Sequence, residues 1–510
     1  MDVRTMIGQK LVFGFDGTAV PEYFRQMVRE YKIGNVILFR RNVENAEQLT
    51  RLCGEIQALI MAETGRPAFI AVDQEGGIVT RLPGDTVNVP GSMALAATGD
   101  PGSVRQAAMI TARQLRGMGI NLNLAPDLDV NCNPRNPVIG VRSFGDDPQK
   151  VASLGVEAVR GYGEGGVMCC GKHFPGHGDT AVDSHLGLPC IDKDMATLTS
   201  GELVPFRAAI AAGIPAIMSS HILFPRLEPE GIPATMSRRI MHGLLREELG
   251  FNGLILSDCM VMDAIQKYYG TARGVVAAMG AGIDLVFVSS NEALQHESAK
   301  AALAAAQDGT LDMAELTASV ERVLAAKERY AFTDAETGVA SRAEDFAAAR
   351  AMARQAITHA SGRLFQADEH TFFCGCADYR VTLAANEDAG AEPVPMVMRR
   401  RFGGGCGLFS KNPSPEEQTE IVRQAAGCRQ IVMFTCNAHF FDGQLDLARA
   451  LSETGLPMIV VALRNPYDLP LLPEGCGKLA AWDYSRDSLE AVAEVLAGGE
   501  CHGTMPVILP

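Results

Sequence analysis

The sequence predicts an α/β fold, a (β/α)8 TIM-type barrel followed by a smaller α/β sandwich domain, and three observations carry that prediction. Short aliphatic runs alternate with amphipathic or Ala-rich stretches over the first 330 residues, eight such runs occur, and polar residues follow them. Strand and helix in alternation impose parallel pairing, since each connection must carry the chain back across the sheet.

The eight runs are Lys10–Phe15, Val36–Phe39, Ala68–Val72, Asn121–Ala125, Val167–Gly171, Ala216–Ser220, Leu254–Ser257 and Leu285–Val288. Among the polar residues that close them are Arg40, Asp73, Asp127, Lys172 with His173, His221, Asp258 and Ser289. In such a barrel the active site is built from the C-terminal ends of the strands, so these side chains fall on one rim.

Helical patterning ends near Tyr330, and the polar stretch Thr333–Gly338 precedes an Ala/Arg-rich helix around Glu344 to His359. The expected division is a catalytic barrel over 1–335, a linker over 336–344 and a C-terminal α/β sandwich over 345–510. In that domain the runs Ile431–Thr435, Met458–Leu463, Leu479–Trp482 and Val507–Leu509 alternate with helical segments such as Gly443–Ser452 and Ser488–Leu496. Two domains also suit the length, since 510 residues exceed what one core organises.

A composition of 47% hydrophobic and 21% charged residues is that of a globular chain. The formal charge of -15, without a basic run, argues against nucleic acid as a partner. No apolar stretch reaches the length of a membrane span, and the first residues lack the apolar stretch of a signal peptide, so a cytoplasmic protein is expected. Thirteen cysteines with no paired C-x-x-C spacing read as buried thiols in a reducing compartment. Oligomeric state is not legible.

Three segments carry chemistry. Lys172-His-Phe-Pro-Gly-His-Gly-Asp-Thr180 follows a strand and leads to Asp183-Ser-His185. Lys172 and His173 can donate to sugar hydroxyls, while Asp183 and His185, two apart, can share a face so that the carboxylate orients an imidazole suited to proton transfer near neutrality. In the second segment Asp258 ends a strand, either as a helix cap or, with an acid/base group on the same rim, as a nucleophile. In the third, Asp73 heads Asp73-Gln-Glu-Gly-Gly77 and can accept two hydroxyl hydrogen bonds; Arg81 and Arg142 are further donors. The Gly-Gly pair lacks the spacing of a phosphate loop, and His173, His177 and His185 lack zinc spacing, so neither cofactor nor metal is expected.

Together these segments resemble family 3 glycoside hydrolases, in particular the β-N-acetylglucosaminidase branch. The resemblance runs from Ile7-Gly8-Gln9 to about Tyr330 and includes Pro233-Ala-Thr-Met-Ser237 and Gly243–Phe251 before Ser257-Asp258. It implies a retaining double displacement, with Asp258 forming a glycosyl ester, His185 assisted by Asp183 as acid then base, and Asp73, Arg81, Arg142, Lys172 and His173 binding sugar. The dyad favours N-acetylglucosamine over glucose and short substrates such as peptidoglycan or chitin fragments. One departure is Cys259, where the branch usually carries a second aspartate. The closing Gly503–Pro510 resembles the usual ending of two-domain members. His439, after Ile431–Thr435, reads as structural or as a side chain facing the rim. Two alternatives stand beside the hydrolase: a phosphorylase that hands the sugar to phosphate, and a sugar-binding protein without catalysis.

Overall fold

The protein, in a computed structural model, is described over residues 1–183, 187–332, 341–379 and 392–510. Eight parallel strands form the barrel: β1 Leu11–Phe13, β2 Asn35–Leu38, β3 Phe69–Val72, β4 Leu122–Asn123, β5 Met168–Phe174, β6 Ala216–Ser219, β7 Leu254–Cys259 and β8 Leu285–Val288. They pair in chain order, and β8 returns to β1 with Leu11 beside Val286 and Phe13 beside Val288. All eight coincide with predicted runs.

The period of two along each strand sorts side chains between two cores. Val12, Phe69, Ala71, Leu285 and Phe287 point into the barrel, while Leu11, Phe13, Ile70, Val286 and Val288 pack under the surrounding helices. Several helices begin where the chain supplies an acceptor and a preset turn. Asp147 accepts from Gln149 N before Pro148–Glu164, and Asp100 accepts from Gly102 N before Pro101–Gly117.

At the N-terminal pole, opposite the rim, two lysines are buried. Lys327 Nζ donates to Gln9 Oε1 at 2.7 Å and Gly34 O at 2.9 Å. Lys10 Nζ donates to Ile283 O at 2.7 Å and to Ser319 Oγ. Burial lowers Lys327 to about 7 and Lys10 to about 8.

The second domain is a six-stranded sheet of β9 Thr358–Ser361, β10 Thr371–Cys376, β11 Gly405–Phe409, β12 Gln430–Thr435, β13 Met458–Ala462 and β14 Gly477–Ala480. Its order is β11-β10-β12-β13-β14-β9, parallel except for β9 on the edge. Helices Ala343–Ala356 and Arg486–Leu496 pack together, as do Pro415–Ala425 and Asp442–Ser452. Sequence reading missed β9, β10 and β11, and the run Val507–Leu509 forms no strand. That tail instead returns to the barrel, where Thr504 N donates to Ala97 O at 2.8 Å and Ile508 N to Asp146 Oδ2 at 2.6 Å.

Further contacts dock the domains. Asn131 Nδ2 donates to Tyr467 Oη at 2.8 Å, Val141 N to Asn465 Oδ1 at 3.0 Å, and Ser341 Oγ to Gln114 Oε1 at 2.8 Å. All thirteen cysteines are free thiols, but Cys132 and Cys190 are exposed and four others are half-buried, so the expectation of uniformly buried thiols is too broad. Among the described residues, no helix is long and apolar enough to cross a membrane.

Candidate active site

The polar rim builds from β3, β4 and β5. Just beyond β3, the Gln74 amide faces Asn123 on β4: Gln74 N donates to Asn123 Oδ1 at 3.0 Å and Asn123 Nδ2 to Gln74 O at 2.9 Å. Gln74 Oε1 then accepts from Arg81 N at 2.8 Å, which ties the loop carrying the buried Arg81 to the end of β3. These neutral bonds position the charged groups around them.

Glu75 is the hub of those charges. Arg142 grips it with Nε and Nη2, both at 2.8 Å, and Lys172 Nζ approaches the same carboxylate at 2.7 Å and Asp73 Oδ1 at 2.8 Å. Burial pushes the Glu75 carboxyl up, but Arg142 and Lys172 outweigh it and hold the group well below the usual carboxylate range. Burial likewise works against charge on Lys172, while Asp73 and Glu75 raise it above an ordinary lysine. The bidentate clasp keeps both cations charged and fixed.

Behind them, Asp127 and Asp129 follow β4. Asp129 receives the backbone N–H of His177 at 2.6 Å and faces His173 Nδ1 at 2.7 Å, so it sets the ring's orientation. Burial, then the nearby Arg142, lowers His173 to about 4, and burial, then His173, lowers His177 to about 3. Both imidazoles are therefore neutral near pH 7. Asp129 is pushed up to about 6 and Asp127 well above its ordinary value, in each case first by burial. With His173, this pair could offer three ligand atoms within 4.8 Å of one another. Arg142 Nη2 lies 3.7 Å from Asp127 Oδ2, so a fixed cation already faces this pair.

Asp258 occupies the penultimate position of β7, and its Oδ1 accepts from Cys259 N at 2.7 Å. The barrel is parallel and closed, so the C-terminal end of β7 puts Asp258 on the same rim. Next to it, Cys259 Sγ meets Ser289 Oγ at 2.8 Å, a neutral link to the end of β8 where an aspartate would bring a second charge. His221 ties β6 to β7 through Cys259 O at 3.0 Å.

Asp73, Arg142, Lys172 and His173 thus converge, with Arg81 on the adjoining loop and Asp258 across the rim. Asp183 is buried, while His185 lies outside the described residues. Sequence reasoning left Glu75, Asp129 and His177 out of the site and placed Asp127 on the rim without a role. The Asp127-Leu-Asp129 spacing after a strand and the Asp73-Gln-Glu75 spacing were the available signals.

The barrel's C-terminal rim gathers acids, fixed cations and neutral imidazoles, and glycoside hydrolases are what this chain is similar to. The glycosyl hydrolase family 3 N-terminal domain matches residues 3–326, and the chain belongs to that family. β-Hexosaminidase A of Pseudoalteromonas piscicida is 35% identical over 375 residues, 66% of this chain and 62% of that one, so the chain spans less than two thirds of that relative. β-Hexosaminidase of Pseudomonas aeruginosa (strain UCBPP-PA14) is 35% identical over 299 residues, 58% of this chain and 86% of that one. Among solved structures, the family 3 β-N-acetylglucosaminidase from Paenibacillus sp. str. FPU-7 is 36% identical with a TM-score of 0.93, covering 100% of this chain and 99% of that one.

Proposed function

We propose that the protein is a retaining exo-glycosidase that removes terminal β-linked N-acetylglucosamine from short glycans such as peptidoglycan or chitin fragments. The observation that carries this reading is a carboxylate at the end of β7, Asp258, facing a rim of preset donors in a chain 36% identical to a β-N-acetylglucosaminidase over its full length.

In the first step a carboxylate oxygen of Asp258 forms a bond to the anomeric carbon while the glycosidic bond breaks. His185, assisted by Asp183, gives its proton to the departing oxygen. In the second, water attacks the glycosyl ester, His185 takes the water's proton, and Asp258 leaves as carboxylate. Lys172 and Arg142, immobilised by Glu75, meet sugar oxygens at no reorganisation cost, with Asp73, Arg81 and His173 completing the grip. The free thiols and the short substrates fit work in the cytoplasm.

Release of 4-nitrophenol from the β-N-acetylglucosaminide and the β-glucoside, each with and without phosphate, tests the reading. Preference for the acetamido sugar in buffer alone is expected. A phosphate-dependent rate yielding the sugar 1-phosphate would replace hydrolysis with phosphorolysis, and activity on the glucoside alone would overturn the assignment of the dyad.

A further inference from the structure

We propose that the C-terminal edge of the second sheet, where it meets the barrel, is a binding site for a small oxyanion, a carboxylate or a phosphate. The strand order β11-β10-β12-β13-β14 reverses direction between β10 and β12. In open parallel sheets, ligands bind outside the carboxyl ends of the strands beside such a reversal. β12 and β13 end there, and polar atoms left over from both are concentrated in the residues that follow.

Arg464, two residues past β13, is 2% exposed, and its Nε and Nη1 have no hydrogen-bond partner. Among the described residues no carboxylate lies within ion-pair reach of its guanidinium. On the neighbouring strand Thr435 Oγ1 is buried without a partner. His439 lies beyond it, its side chain 6% exposed; Nδ1 faces Asp468 Oδ1 at 2.8 Å, and Nε2 is buried and unpartnered. Asp468 Oδ1 also accepts from His439 N at 3.0 Å, while Oδ2 is unpartnered. Burial raises the Cys436 thiol; Arg464 and Lys411 lower it and Asp468 and Asp378 raise it, so Arg464 and Asp468 lie in a common region.

Buried polar atoms are nearly always satisfied, and a buried guanidinium without a counter-ion is costly. Its planar fork matches a carboxylate or phosphate. Thr435 supplies a hydroxyl, His439 a second donor when Nε2 carries a proton, and Asp468 balances that charge. Asn465 and Tyr467, between Arg464 and Asp468 in the chain, make the contacts to Val141 and Asn131, so this edge faces the barrel. The inference does not depend on the glycosidase reading.

Calorimetric titration of the full chain with sodium phosphate and with sodium acetate, at matched ionic strength, tests it. One equivalent is expected to bind, with Kd raised at least about tenfold in Arg464→Gln and by a smaller factor in His439→Gln. Phosphate alone would identify a phosphorylated ligand and acetate alone a carboxylate ligand. No binding of either, or an unchanged Kd in Arg464→Gln, overturns the proposal; the latter would place the anion elsewhere, for example on the barrel rim. If circular dichroism shows that Arg464→Gln does not fold, His439→Gln decides, and an unchanged Kd there overturns it equally.

Discussion

The two poles of the barrel bury lysines to the same degree and treat them in opposite ways. Lys172 at the C-terminal rim is 2% exposed, and Lys327 at the N-terminal pole is 1% exposed. Lys172 faces Asp73 and Glu75 and is raised above an ordinary lysine; Lys327 faces an amide oxygen and a carbonyl and falls to about 7. Desolvation alone would depress both, so the neighbouring charges decide the outcome at the rim. Lys172 keeps its charge because carboxylates face it, and Lys327 becomes a neutralisable amine because only neutral acceptors do.

Four experiments can break or sharpen that contrast. The largest effect is expected from Asp258→Asn at the rim: kcat for the aryl β-N-acetylglucosaminide falls by on the order of 1,000-fold or more. Circular dichroism should show the melting temperature within a few degrees of the parent, and retained kcat would remove the nucleophile from the proposed mechanism. Next is Lys172→Met, which takes the cation from Asp73 and leaves Glu75 to Arg142 alone, and should cost about 3–5 kcal/mol in urea unfolding at pH 7. Lys327→Met leaves only neutral acceptors unpaired and should cost no more than about 1–3 kcal/mol. Equal losses would mean that the poles do not differ in charge pairing.

The third contrast is in pH. Between about 7 and the ordinary lysine value of 10.5, unfolded Lys327 carries a proton that the folded form lacks. Stability therefore rises with pH across that window, by up to about 1.4 kcal/mol per pH unit, and is lost as pH falls through the folded value. Urea midpoints at pH 7 and pH 9 should diverge less in Lys327→Met than in the parent, and an unchanged difference would show that Lys327 does not titrate there. The smallest effect belongs to Cys259→Ala. The thiol bonds a neutral hydroxyl, so kcat should change by less than about fivefold, and a loss comparable to that of Asp258→Asn would make Cys259 part of the chemistry.

The barrel was legible because its strands are buried on both faces and read as uninterrupted aliphatic runs between loops. The second domain was legible only in its central strands. β11 is Gly-rich and half-buried at an edge, β9 is mostly exposed, and β10 holds Cys374-Gly-Cys376, a composition that signals no strand. At the rim, residues that end strands, such as Asp73, Lys172 and Asp258, could be placed from periodicity alone. Glu75 and Asp129 act by holding other side chains; their spacing from Asp73 and Asp127 marks where they lie, but the partners they hold across strands have no signature in the local sequence. Val507–Leu509 misled for the converse reason: a β-branched run whose apolar face packs without a ladder.

The return of the C-terminal tail to the barrel bears on how the chain would respond to a protease. Thr504 and Ile508 hold Ala97 and Asp146 from the far end of the second domain, while Ser341 and Gln355 hold Gln114 and Thr98 from its start. A cut between Phe332 and Ser341 would sever the peptide without releasing either piece. The nicked chain would migrate as two bands in denaturant and as one particle in native buffer.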